Sequence, residues 1–222
     1  MVADAAEAVG VALAALERYG LLLFSDPALP SLAGMIVSGP LRGSWWGHPR
    51  GNVIYHAMNA LGDDPHVLCT KLVAGKVTYV HQRLWAAVYA LGCAREAWQL
   101  NGLSAAAKWL LEQVDADEEL QTDLVVPPAQ LLTRKKLPDA ARELERRLLV
   151  HATEVHTPSG AHAKVLETWP RWAAEVHLTP PRTLSPWQAR DELEQAAERL
   201  AADIPNGMAA LPWSTLGRTR GS

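Results

Sequence analysis

Val67-Leu68-Cys69-Thr70-Lys71-Leu72-Val73-Ala74-Gly75-Lys76-Val77-Thr78-Tyr79-Val80 decides how much strand this chain contains. Its last four residues are β-branched or aromatic and read as a strand, and Ala74-Gly75 punctuates the middle. The stretch reads as a helix, a glycine turn and a short strand, with a hairpin as the alternative. Upstream, Asn52 to Leu61 has helical spacing (Val53, Ile54, Ala57, Leu61) and is stopped by Gly62-Asp63-Asp64-Pro65. Ser31 to Val37 reads as a short helix and Leu21 to Phe24 as a short buried strand. Asp4 to Tyr19, with Val9, Leu13 and Leu16 on one face and Gly20 as its stop, reads as an amphipathic helix.

Downstream, helices are expected over Gln82 to Leu91, Ser104 to Val114, Asp139 to Val155, from Ala161 onward, and over Ser185 to Leu200. The acidic run Asp115 to Asp123 reads as a solvated face or linker. Pro127-Pro128 and Pro138 suggest a boundary between an N-terminal lobe, 1–123, and a C-terminal helical lobe, 124–222, unless the two form one compact domain. No internal repeat is visible. The expected fold class is therefore mainly α with a few short strands, compatible with helix-turn-helix or winged-helix units.

The chain's 222 residues, 49% hydrophobic and 20% charged, suffice for a real core. With 21 basic against 24 acidic residues the net charge is −3, so any polyanion site must be a local patch. Cys69 and Cys93, both flanked by apolar residues, suggest buried free thiols rather than a disulfide framework or a zinc site. The start, Met1-Val2-Ala3-Asp4, lacks the basic and apolar regions of a signal peptide, and no apolar run approaches the ~20 residues of a membrane span. A cytoplasmic location is expected, with no membrane partner. No phosphate-loop, dinucleotide or Gly-x-Ser-x-Gly motif occurs, and no cofactor or metal is expected.

One segment departs from the overall charge. Between residues 42 and 95, Arg42, Arg50, Lys71, Lys76, Arg83 and Arg95 are opposed only by Asp63 and Asp64. Interleaved are Trp45, Trp46, His48, Tyr79 and Trp85, and cations beside aromatic faces suit phosphate neutralisation and base stacking. Ser44 and His81 join them as candidate nucleic-acid contacts. In Gly43-Ser44-Trp45-Trp46-Gly47-His48-Pro49, one indole could stack on a ligand while the glycines let backbone N–H groups approach an anion. Alternatively, the tryptophans anchor the loop to the core.

A second cluster runs from Glu154 through His156, Ser159, His162 and Lys164 to Glu167. His156 and His162 are candidates for acid–base catalysis. Ser159, His162 and Lys164 would favour a phosphate if they stood at a helix N-terminus.

Tyr19-Gly20-Leu21-Leu22-Leu23-Phe24-Ser25-Asp26-Pro27 resembles the end of the first helix and the following segment of the winged-helix DNA glycosylases of the AlkZ-like class. That family carries a Gln-x-Asp catalytic motif there; Asp26 matches its aspartate, and Phe24 stands where it has glutamine. The Arg42 to Pro49 loop and the Lys71 to Trp85 segment, with Leu72-Val73-x-Gly75-Lys76-Val77-Thr78, resemble uncharacterised bacterial proteins related to that class. The resemblance covers about the first half of the chain. It implies a DNA-binding winged-helix protein related to base-excision repair glycosylases, with Asp26 as the carboxylate activating water and a flipped base stacked on tryptophan. The alternative is a small-molecule enzyme or protein-interaction scaffold built from the tryptophan loop and the His156/His162 turn.

Overall fold

The computed structural model describes residues 4–128, 136–157, 160, 162–179, 184–205 and 207–216. Helix α1 (Ala5–Tyr19) opens on Asp4, whose side chain accepts from the Glu7 amide, and closes on Gly20 at φ +84°, whose amide donates to the Leu16 carbonyl. Strand β1 (Leu21–Leu23), helix α2 (Leu32–Val37, capped by Ser31) and helix α3 (Gly51–Gly62) follow. The deciding stretch is a hairpin: β2 (Val67–Lys71) and β3 (Val77–His81) pair antiparallel, from Val67 opposite His81 to Lys71 opposite Val77. The expected helix over its first half is corrected because the strand buries residues on both faces. Val67 faces α1 and α3 with Leu22 and Tyr79, whereas Leu68 joins Leu21, Leu23 and Val80 in the other core. The turn between them uses left-handed backbone at Ala74 and Gly75. β1 pairs with β3, so the sheet order is β1-β3-β2.

After α4 (Trp85–Ala94) and the short α5 (Ala97–Leu100), a similar order returns, with one helix instead of two between the first strand and the hairpin among the described residues. Helix α6 (Ala105–Asp117) leads to β4 (Glu119–Gln121), then α7 (Leu137–Arg146), β5 (His151–His156), β6 (His162–Glu167) and α8 (Trp169–Glu175). This sheet has the order β4-β6-β5, again first strand, third, second. The repeat is structural and leaves little trace in the sequence. One trace is Trp85-Ala86-Ala87 in α4 and Trp172-Ala173-Ala174 in α8, whose indoles meet edge-on across the junction, 5.4 Å between centroids.

The expected boundary at Pro127-Pro128 falls inside the second unit, because β4 pairs with β6 and α6 shares a core with α7 through Leu110, Val114, Ala140 and Leu144. The expected helix over 139–155 stops at Arg146. Leu148 adopts φ +52°, and the freed carbonyls of Arg147 and Leu148 are taken by the Gln99 amide (3.0 Å) and the Trp169 indole N–H (2.8 Å). Beyond that turn, β5 pairs with β6 where a second helix was expected. Helix α9 (Pro186–Ala201) starts at its Ser185–Gln188 capping box and lays Leu193, Ala196 and Leu200 into the core shared with α4. Helix α10 (Pro212–Leu216) closes the described chain, with the Trp213 indole donating to Glu194. Each sheet has two edge strands, and one from each, β2 and β5, faces the junction between the units.

Candidate functional site

Trp45-Trp46-Gly47 forms one 3₁₀ turn between α2 and α3. Trp45 is half-buried and meets Phe24 edge-on at 5.9 Å, and Trp46 stacks on Trp45 with centroids 4.0 Å apart and planes at 24°. Trp46 is 69% exposed, so the two indoles run from core to solvent, Trp45 anchoring the loop and Trp46 leaving a face free. The row continues to Tyr55 (5.9 Å) and from there to His56 (5.5 Å). The His48 ring accepts from the Arg50 amide at 3.0 Å, and the Gly51 amide donates to the His48 carbonyl at 2.7 Å. A Cβ at Gly51 would press to 3.0 Å on the Trp45 carbonyl oxygen, so the loop closes tightly onto α3 at this glycine.

Because α3 turns Ile54, Ala57 and Leu61 inward, it presents Asn52, Tyr55, His56 and Asn59 to solvent. Each carries a group that hydrogen-bonds or stacks, and none is a carboxylate. These four were missed at the sequence level, although they are simply the off-core positions of a helix whose apolar positions were assigned. Arg42 and Ser44 are exposed on the approach to the tryptophans, and Arg50 precedes the first turn of α3.

Most of the expected basic patch is engaged elsewhere. The Lys71 and Lys164 ammonium groups donate to one oxygen, Glu145 Oε2, at 2.9 and 2.7 Å, and all three side chains are largely buried. Lys76 donates to Asp26 at 2.6 Å, His81 lies 2.8 Å from Glu17, Arg83 donates to the Glu17 carbonyl, and Arg95 pairs with Asp115 at 2.6 Å. Burial lowers the Lys164 pKa, with Glu145 opposing. Of the residues expected to contact nucleic acid, Lys71 and Lys164 are thus largely buried in a shared ion pair, while Lys76, His81 and Arg83 each already hold an acidic or carbonyl partner. Both cysteines are free, as expected, but Cys93 is exposed and not buried; Cys69, pushed up to about 11 by burial and then by Glu145 and Glu154, remains protonated at neutral pH.

Asp26 is fully engaged. Its Oδ1 accepts from the amides of Ala28 (2.8 Å) and Leu29 (2.9 Å), while Oδ2 holds Lys76. Burial alone would raise its pKa, but the Lys76 hydrogen bond and the two amides outweigh it and hold the carboxyl below 3.8. The stabilisation is therefore present above 3.8 and fades as the pH falls through the lower folded-state value. Asp26→Asn should accordingly be less stable than the parent at neutral pH, with the gap closing in acid. Urea midpoints across the acid range check this; a gap independent of pH would show that the charge of Asp26 does not matter.

His156 and His162 face each other across the β5–β6 hairpin, ring centroids 4.4 Å apart, on exposed strand ends rather than at a helix N-terminus. Glu154 lies 3.9 Å from His162. Ser159 lies outside the described residues. Among the described residues no group of three or more His, Cys, Asp or Glu could hold a metal ion, and no helix is long and apolar enough to cross a membrane.

Two cavities lie elsewhere, one below the β1–α2 loop beside Asp26 and a larger one between the two units. Neither is lined by Trp45, Trp46, His156 or His162. The larger one gathers Tyr79, Glu145, His151 and Glu167, residues too far apart in sequence to have been grouped. No family model, curated protein or solved structure matches the chain.

Proposed function

We propose that the chain is a tandem winged-helix protein that binds DNA through α3 and the Trp45–Trp46 turn. Helix, strand, helix, helix and a β-hairpin with strand order first-third-second is the connectivity of a winged helix, and α3 occupies the position of its recognition helix. The observation that carries the reading is the exposed row Trp46–Tyr55–His56, rooted in the core through Trp45. Asn52 and Asn59 supply amides of the kind that pair with base edges, and Trp46 offers a face on which an unstacked base can rest. With Lys71, Lys76 and Lys164 held in ion pairs, affinity rests on stacking and hydrogen bonds more than on phosphate neutralisation.

The experiment is fluorescence anisotropy of labelled duplex and single-stranded DNA at low and moderate salt. The expected result is saturable binding with a shallow salt slope. Trp46→Ala and Tyr55→Ala should each weaken it about tenfold, a stacking contribution near 1.4 kcal/mol, without lowering the melting temperature. Undiminished binding by both variants would move the interface off α3, and no binding at low salt would end the reading. Base excision, the activity the glycosylase resemblance implies, is tested by incubation with alkylated or uracil-containing duplex. Because Asp26 is held by Lys76 and two amides, binding without abasic sites is expected. Abasic sites that disappear in Asp26→Asn would make the protein a glycosylase.

A further inference from the structure

The junction between the units holds a cleft of about 610 Å³, in the range of small-molecule sites. All five residues of β2 and four consecutive residues of β5, His151–Glu154, line it. A strand presenting a face would contribute only alternate residues, so it is the strand edges that look into the cleft. Trp85 and Trp172 give it an aromatic wall.

Its charge is one-sided. Asp63, Asp64, Glu145, Glu154, Glu167 and Glu175 line it against two cations, Lys71 and Lys164, which already share Glu145. An independent observation concerns its unmatched polar atoms. Tyr79 is 1% exposed, lines the cleft, and its hydroxyl has no hydrogen-bond partner among the described residues. Glu167 Oε1 is 2.8 Å from His151 Nδ1, but its buried Oε2 accepts no hydrogen bond among the described residues, with Arg171 3.9 Å away. Buried polar groups without partners are costly, and a ligand that supplies the partners recovers that cost on binding.

We infer that this cleft binds a small organic cation, a protonated amine or amidinium carried on a flat apolar body. The N–H groups donate to Glu167 Oε2, the surplus carboxylates favour the positive charge, and the body lies along Trp85 and Trp172, where indole faces attract cations. Tyr79 is the hydroxyl available to a polar atom at the opposite wall. The cleft borders the end of α3 at Met58, Asn59 and Gly62 but is not lined by Trp46, Asn52, Tyr55 or His56, so Trp46→Ala and Tyr55→Ala test DNA binding while Glu167→Gln tests the cleft.

The test uses the full chain with tryptamine and benzamidine as probes, and with tryptophol and indole-3-propionate as the neutral and anionic counterparts of tryptamine. Calorimetric titration and thermal shift should show saturable binding of the two cations in the micromolar to low millimolar range, and neither for tryptophol nor for indole-3-propionate. Glu167→Gln, which keeps an oxygen for His151, should weaken tryptamine about tenfold. Tyr79→Phe, which removes only the unpartnered hydroxyl, should leave the ligand-free melting temperature unchanged or raised. No saturable response to either cation, equal binding of tryptophol, or full affinity in Glu167→Gln would each overturn the proposal.

Discussion

Replacing Gly92 with alanine is expected to destabilise the protein by about 3 kcal/mol, at the upper end for overpacking a core. For a chain of this size that is a fall of roughly 6–12 °C in melting temperature. Gly92 lies on the buried side of α4, and the Trp169 indole rests directly on its Cα; an added Cβ would overlap the ring. The ring has little room to retreat. It is fully buried, its N–H donates to the Leu148 carbonyl, and Trp172 and His151 crowd its other sides. Urea denaturation measures the loss. Adding Trp169→Phe to Gly92→Ala should cost less than the sum of the two single changes, because the smaller ring yields the space. A stable Gly92→Ala variant, or strict additivity, would show that α4 and Trp169 are not in this contact.

Glu145→Ala should cost a similar amount, about 3–5 kcal/mol, for an electrostatic reason. Glu145 is 6% exposed and is the shared partner of Lys71 and Lys164, so its removal leaves two largely buried ammonium groups facing one another. Substituting Lys71→Met and Lys164→Met in the same background should return most of the lost stability, since an apolar trio needs no counter-charge. Equilibrium denaturation of the single and triple variants decides: if the triple variant is no better than the single one, Glu145 acts through packing and not through charge. The tie joins β2 of the first unit to α7 and β6 of the second, so the single variant should also loosen the junction between them.

The parts of the fold legible in the sequence were those written by local rules. Asp4, Ser31, Ser104 and Ser185 each accept from an amide three residues on, and the helices they open were all anticipated. Of the two hairpins, the first is only the alternative reading of Val67–Val80 and the second is not anticipated. Val67–Lys71 is buried on both faces, which erases the alternation that marks a strand, and Leu144, Leu148, Ala152 and Val155 happen to fall at helical spacing across what is a turn and a strand. Tertiary contacts decided there, through Gln99 and Trp169 at the carbonyls of the turn. The site divides in the same way. Adjacent tryptophans announced the aromatic turn, but the pairing of the basic residues depends on partners 50 and 74 residues away, Asp26 for Lys76 and Glu145 for Lys71.

One edge strand of each sheet, β2 in one and β5 in the other, is turned toward a common interior. A bare strand edge is a template on which a second molecule can add its own strand, the first step toward insoluble assemblies. Here each unit lies across one such border of its neighbour. Solubility thus becomes a property of the pair: variants that spread the two units apart, Glu145→Ala first among them, should precipitate on standing before they unfold.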